Sequence, residues 1–301
     1  MTAPVDTTRA SGLLAVARAR LVGLEAADPA QEARELLEWA TGADSIWSIR
    51  EPVDPSAVER FHEAVERRAR REPLQRITGR MHFRGLVLES RPGVFVCRPE
   101  TEIVAGLAID AAREAVLDRE RHLDEPCALV VDLCTGSGAI AAALASEVPA
   151  CRVVAVELGE EAHALAASNL ERLVPGRARL VRGDATDPGV LADLDGRVDV
   201  VVSNPPYVPA SEAPTQAEAL LDPPLALYGG GRDGADAPIR IIARAAALLR
   251  PGGVLVVEHS PSQSALMREA ALASGFESAR TEKDLAGRDR ALVARRGTIH
   301  G

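Results

Sequence analysis

A β-branched run ends abruptly within residues 201–210, VVSNPPYVPA, where Asn204-Pro205-Pro206-Tyr207 follows two valines and a serine. Neither proline has an N–H to extend a sheet ladder, and the first biases Asn204 away from the helical region. A side-chain amide and an aromatic ring are therefore held on a stiff loop at the carboxyl end of a predicted strand. Three other predicted strands end in groups able to do chemistry. VVDL carries Asp132 into Cys134-Thr135-Gly136-Ser137-Gly138, a loop whose glycines let a ligand approach the backbone and whose following helix offers free N–H groups. VVAVEL presents Glu157 nineteen residues after Gly138, where a carboxylate can accept from both hydroxyls of a ribose. LVRGDA presents Asp184, an acceptor for an adenine amino group or, equally, a turn aspartate. Together they suit a nucleoside cofactor without selecting a dinucleotide, and Asp132 suits the positive end of a sulfonium-bearing one. Each also has a plainer reading: a glycine turn made for packing, a solvated strand-end acid, a proline turn.

Positioning these groups requires a particular scaffold. ALVVDL, RVVAVEL, ARLVRGD, VDVVVS and GVLVVEH are nearly continuous apolar runs. Predicted helices separate them, from Glu100 to about Arg121, after Gly138, from Glu160 to Leu173 and near Pro238 to Leu249. That alternation predicts an α/β domain over residues 99–301, with a mostly parallel sheet covered by helices on both faces. Ligands in such folds bind outside the carboxyl ends of the strands, at the switch point.

Residues 1–76 read as a small helical domain. DPAQEARELLEWATG starts on Asp28 as N-cap with Pro29 following, and stops at Gly42; DPSAVERFHEAVERRARREP repeats that start at Asp54 and Pro55. Trp39 and Trp47 are expected to supply bulk to its core. Residues 77–98 read as a β-hairpin linker, with LVLES and VFVC as strands around Arg91-Pro92-Gly93.

The 301 residues are 47% hydrophobic and carry a net charge of −9, which supports a sizeable core and argues against a general nucleic-acid binder. Cys97, Cys127, Cys134 and Cys151 have no CxxC or metal-like spacing, so they read as reduced thiols in a cytoplasmic protein. No metal site is expected, and no run approaches the ~20 apolar residues of a membrane span. Arg60 to Arg91 holds nine arginines against four glutamates. It reads as the solvated side of a helix, or as a face for RNA or an acidic protein.

With the glycine loop, Glu157 and Asp184, the Asn204–Tyr207 tetrad resembles the NPPY type of class I S-adenosylmethionine-dependent methyltransferase, a Rossmann-like fold. The resemblance explains the rigid amide. An amide nitrogen is a poor nucleophile because its lone pair is delocalised, so catalysis rests on placing it in line with the methyl–sulfur bond. Asn204 and the Pro205 carbonyl would accept its two N–H groups and favour the charge that develops on nitrogen, while Tyr207 packs against the amide plane.

REPLQRITGRMHFRGLVL, CRPETE, DLCTGSGAIAAALA, SNPPYVP and LRPGGVLVVEH occur in the order found in protein-glutamine methyltransferases of the HemK/PrmC type. That resemblance spans nearly the whole chain. It implies S-adenosyl-L-methionine as cofactor, the Gln of the Gly-Gly-Gln motif of a peptide chain release factor as substrate, and an N-terminal domain that helps bind the release factor. It places the cofactor at Asp132, Cys134 to Gly138, Glu157, Asp184, Ala185 and Asn204, with Arg98 and Thr101 beside it, and the substrate glutamine at Asn204, Pro205, Pro206 and Tyr207. Three departures stand out, one being that VCRPETE lacks the usual Ile-Pro before Arg98. Cys134 replaces the usual glycine, and the stretch Glu212 to Leu227 offers only Asp222-Pro223 for a charged Glu-Pro motif. They leave open a different protein glutamine, such as one in a ribosomal protein, or an exocyclic amino group of a nucleic-acid base. A nucleotide-binding regulatory protein is a third reading, which the intact tetrad disfavours.

Overall fold

In the computed structural model, the described residues are 6–24, 28–122, 127–212 and 217–297. The sequence-based expectations for the first five residues and for 213–216 of the divergent stretch lie outside them. The described chain forms two compact units, one comprising residues 6–80 with 217–221, the other 81–212 with 222–297.

The first unit holds α1 (Ala10–Leu21), α2 (Pro29–Thr41), α3 (Pro55–Ala69) and α4 (Leu74–Thr78). Asp28 caps α2 by accepting from the Ala30 and Gln31 amides, and Gly42 closes it in the left-handed region. Asp54 caps α3 through the Ser56 amide. Leu13, Leu21, Leu36, Leu37 and Phe61 are fully buried between the helices. Trp39 packs at the margin of this core. Trp47 does not enter it: the side chain is 92% exposed, on a short turn capped by Ser45. The arginine-rich stretch is largely engaged within the fold. Arg68 is only 4% exposed and donates to Glu32 and to Glu218, which also pairs with Arg71. Arg67 pairs with Glu72, Arg60 donates to the Ala40 carbonyl, and Arg76 donates to the Leu221 carbonyl. The solvated-face reading therefore fails for Arg68, the most buried of them.

Next comes a hairpin, β1 (Arg80–Phe83) and β2 (Leu86–Glu89), which belongs to the second unit from Met81 onward. Its turn is Arg84-Gly85, both at positive φ, and not Arg91-Pro92-Gly93; VFVC is not a strand. Two central residues at positive φ make the tight connection whose twist matches the flanking strands. Met81, Phe83 and Leu88 point into the core of this unit. The hairpin's far end is held by Asn169, which accepts from the Glu89 amide at 2.8 Å and donates to the Glu89 and Ser137 carbonyls.

Then follow α5 (Thr101–His122), β3 (Ala128–Leu133), α6 (Ala139–Glu147), β4 (Cys151–Glu157), α7 (Glu160–Leu173), β5 (Ala178–Arg182), β6 (Val198–Ser203), α8 (Pro224–Leu227), α9 (Asp236–Leu248), β7 (Leu249–Glu258), α10 (Ser264–Ala273), β8 (Phe276–Lys283) and β9 (Asp289–Arg296). The seven-stranded sheet runs β5-β4-β3-β6-β7-β9-β8. β3 to β7 are parallel, and β9 is antiparallel to both neighbours. Val130 and Val200 join α5 and α6 in one core, while Val131 and Val201 join α9 and α10 in the other. That alternation is the pleat of a sheet buried on both faces. Among the described residues, no helix is long and apolar enough to cross a membrane.

Candidate active site

The chain leaves β3 toward β4 and β5 on one side and returns through β6 on the other, so the switch point lies between the carboxyl ends of β3 and β6. Ser203 Oγ donates to the Leu133 carbonyl at 2.6 Å and ties those two ends together.

The glycine loop leaves β3 there. Asp132 is fully buried; its Oδ2 accepts from Thr135 Oγ1 at 2.5 Å and from the Ala141 amide at 3.1 Å. Among the described residues, its buried Oδ1 has no hydrogen-bond partner. Burial pushes this carboxyl up to about 7, against the two donors that lower it. Gly136 has φ +59°, and a Cβ built there would meet nothing within 4 Å, so the loop backbone faces open space. Cys134 adopts φ +63° with a half-buried side chain packed beneath the loop. Burial, with Glu157 and Asp132 nearby, pushes its thiol up, which disfavours the thiolate.

Glu157 ends β4 with each oxygen held by backbone. The Gly136 amide donates to Oε2 and the Gly159 amide to Oε1, both at 2.8 Å. A carboxylate oxygen has two lone pairs, so each retains capacity for a hydroxyl. Burial raises its pKa while those amides lower it. Asp184 is exposed, and its Oδ1 is engaged locally by the Thr186 amide and hydroxyl at 2.8 and 2.7 Å, the turn aspartate of the plainer reading. Ala185 beside it is 4% exposed.

The tetrad leaves β6 and is held by more than its prolines. The Val208 amide donates to the Leu227 carbonyl, the Gly229 amide to Val208, and Gln263 Nε2 to the Tyr207 carbonyl at 2.9 Å. A Cβ at Gly229 would lie 2.6 Å from the Pro206 carbonyl oxygen, and one at Gly234 would lie 2.3 Å from that of Tyr207. Gly229 and Gly234 thus let a second loop lie flat against the first. Among the described residues, nothing donates to the Pro205 carbonyl or to Asn204 Oδ1. Asn204 Nδ2 donates to Thr101 Oγ1 at 3.1 Å, and Thr101 Oγ1 donates to Glu258 Oε2 at 2.9 Å. Tyr207 donates its phenol proton to Glu258 Oε1 at 3.0 Å.

Glu258 is a further site residue that the sequence reading does not name, although it closes β7 as Glu157 closes β4. It is 1% exposed; burial pushes its carboxyl up, and the Thr101 and Tyr207 hydroxyls and Arg290 pull it down. The structure also engages Arg98 with a protein partner. Its guanidinium lies 5.2 Å from the Phe95 ring centroid and donates to Asp222, whose side chain is fully buried. Asp222-Pro223, the partial match to a Glu-Pro motif, therefore supplies a structural counter-ion.

This arrangement fits a nucleoside cofactor with a cationic centre: open backbone at Gly136, an unpartnered Asp132 oxygen beneath the loop, and spare capacity on Glu157. The sheet order together with that loop and acid defines the class, a class I S-adenosylmethionine-dependent methyltransferase. Comparison with known proteins narrows it. Residues 12–79 match the PrmC N-terminal domain, and residues 130–222 match a methyltransferase domain. A release factor glutamine methyltransferase of Streptomyces coelicolor is 48% identical over 83% of this chain and 84% of its own. That of Mycolicibacterium smegmatis is 38% identical over 96% and 98%. A 4-amino-L-phenylalanine/4-methylamino-L-phenylalanine methyltransferase of Streptomyces pristinaespiralis is 44% identical over 71% and 68%. The chain belongs to the release factor glutamine methyltransferase family.

Proposed function

We propose that this enzyme methylates the side-chain amide nitrogen of a protein glutamine, and that the protein is a peptide chain release factor. The observation that carries the chemistry is Asn204. Its nitrogen is committed to Thr101, so its carbonyl oxygen is turned to face an incoming N–H. Bound S-adenosylmethionine supplies an electrophilic methyl group. Asn204 Oδ1 and the Pro205 carbonyl accept the two N–H groups of the substrate amide, which orients its nitrogen and favours positive charge there. Pro206 stiffens the loop, and Tyr207, its phenol fixed on Glu258, packs against the amide plane. Asp132, the loop from Cys134 through Thr135, Gly136 and Ser137 to Gly138, Glu157 and Ala185 hold the cofactor. In this reading Glu157 accepts from the ribose hydroxyls, and Asp184 has its second oxygen for the adenine amino group. Thr101 acts on the cofactor side through Asn204, and Arg98 through the wall it builds with Asp222. The helical unit contributes to recognition of the protein substrate, and the setting is cytoplasmic.

One relative favours a second reading. The Streptomyces pristinaespiralis protein is named for an aromatic amine acceptor, again an uncharged nitrogen conjugated to a π-system. The test is transfer of tritium from labelled cofactor to release factors, release factors with the Gly-Gly-Gln glutamine changed to alanine, 4-amino-L-phenylalanine, ribosomal proteins, tRNA and rRNA. Label on the release factor, lost with that glutamine, is expected. Label on the amino acid or on RNA alone overturns the proposal.

A further inference from the structure

The tetrad and the cofactor loop do not account for Glu258. This carboxylate is almost completely buried at the end of β7, and among the described residues its hydrogen bonds come from Thr101 and Tyr207 and none from the glycine loop. Its two oxygens accept one hydroxyl each, Oε2 from Thr101 and Oε1 from Tyr207. A hydroxyl has one proton to give. With that proton committed to Glu258, Thr101 Oγ1 can only accept from Asn204, so it selects the amide's NH2 end. Asn204 then has one orientation, carbonyl outward. The same carboxylate fixes the Tyr207 phenol and, through it, the ring at the other end of the tetrad.

We propose that Glu258 is a positioning residue for methyl transfer: it sets the hydrogen-bond direction of Asn204 through Thr101 and anchors Tyr207, so that both ends of the tetrad are fixed by one buried acceptor. The proposal rests on the reading of Asn204 Oδ1 as the acceptor for the substrate amide. Its effect falls on orientation in the chemical step and leaves cofactor affinity largely alone, because the glycine loop and Glu157 are held by other contacts.

Glu258→Gln preserves shape but replaces one acceptor oxygen with an NH2 donor. One of the two hydroxyls must then turn its proton away, and if that is Thr101, Asn204 can flip. The expected result is a single-turnover transfer rate about 10-fold lower or more, with cofactor affinity within about 3-fold of wild type. In a Thr101→Val background the relay is already gone, so Glu258→Gln should cost at least about 3-fold less than it does alone. Equal costs in the two backgrounds, or a full rate in Glu258→Gln, would overturn the proposal.

A second readout needs no substrate. The chain has two asparagines, Asn169 and Asn204. Selective 15N-asparagine labelling therefore gives two side-chain NH2 pairs, with Asn169 as the internal control on Glu89 and Ser137. Glu258→Gln and Thr101→Val should both move the Asn204 pair and leave the Asn169 pair in place; an unmoved Asn204 pair in folded Glu258→Gln overturns the proposal. If Glu258→Gln fails to fold, the Thr101→Val/Tyr207→Phe variant keeps Glu258 but removes both of its donors, and a wild-type rate there also overturns it. Wild-type enzyme that transfers no methyl to glutamine refutes the function proposed above, and the amide signals still decide the role of Glu258.

Discussion

At the scale of single residues, two groups in the glycine loop carry a cost that measurement can expose. Cys134 holds φ +63°, a conformation that disfavours a Cβ by roughly 1–2 kcal/mol. Its half-buried side chain offsets part of that. Cys134→Gly relieves the strain but loses the packing and loosens the unfolded chain, so its melting temperature should stay within a few degrees of wild type. Cys134→Val puts a β-branched side chain at the same angle and should lower it clearly. Differential scanning calorimetry of the two variants checks this; a stable Val variant would show that the backbone there relaxes freely. Asp132 is the second. Its folded pKa, about 7, lies above its ordinary 3.8, so between those values the native state binds more protons than the unfolded chain. Stability contributed by this group is therefore greatest at low pH and falls as pH rises toward 7. Asp132→Asn has no such titration and can still accept from Thr135 and Ala141. Without cofactor, the variant's stability relative to wild type should rise between pH 5 and pH 8 by at least about 1 kcal/mol. Denaturant melts across that range decide it; a constant difference would mean Asp132 is ionised throughout.

Elements carried most of what was legible in advance. Continuous valine runs between helices gave the parallel sheet, and Asp-Pro starts gave α2 and α3, because buried strands and capped helices are local patterns. The Arg84-Gly85 turn escaped because its first residue is not the asparagine or aspartate that marks such turns. Glu258 escaped because its role depends on hydroxyls at residues 101 and 207, far away in the chain. The buried pairing of Arg68 was hidden for the same reason, since Glu218 is 150 residues distant. That pairing makes a prediction at this scale. Arg68→Ala leaves Glu32 and Glu218 without their shared counter-ion, although Arg71 still serves Glu218. Removing one partner of a buried ion pair typically costs about 3–5 kcal/mol, and the remaining arginine places this case near the lower end. Urea titration followed by circular dichroism measures the loss. An unchanged midpoint would show that solvent reaches the cluster and screens it.

For the whole molecule, the described chain belongs to the helical unit once from Asp6 to Arg80 and again over residues 217–221, after the tetrad. A fragment beginning at Ile77 keeps the sheet, the glycine loop and Glu157, so it should still bind S-adenosylmethionine in a calorimeter. It also strips residues 217–221 of Arg68, Arg71 and Arg76. Transfer to a whole release factor should therefore fall by more than transfer to a short glutamine peptide, but the peptide rate should fall too. A fragment with a full peptide rate would mean that the segment after the tetrad needs no anchorage.

Trp47 stands out in water instead of in the core, and Trp39 lies at the core's edge. These are the chain's two tryptophans, and both sit in the helical unit. Indole emission is thus a spectroscopic address for that unit alone, because the methyltransferase unit contributes only tyrosine and phenylalanine. A fluorescence melt follows the helices by themselves, and a circular-dichroism melt on the same sample follows both units. Coincident curves would mark one cooperative transition, and separated curves two. Iodide reaches an indole as exposed as Trp47, so a protein substrate that covers the residue would announce itself as lost quenching before any methyl group moves.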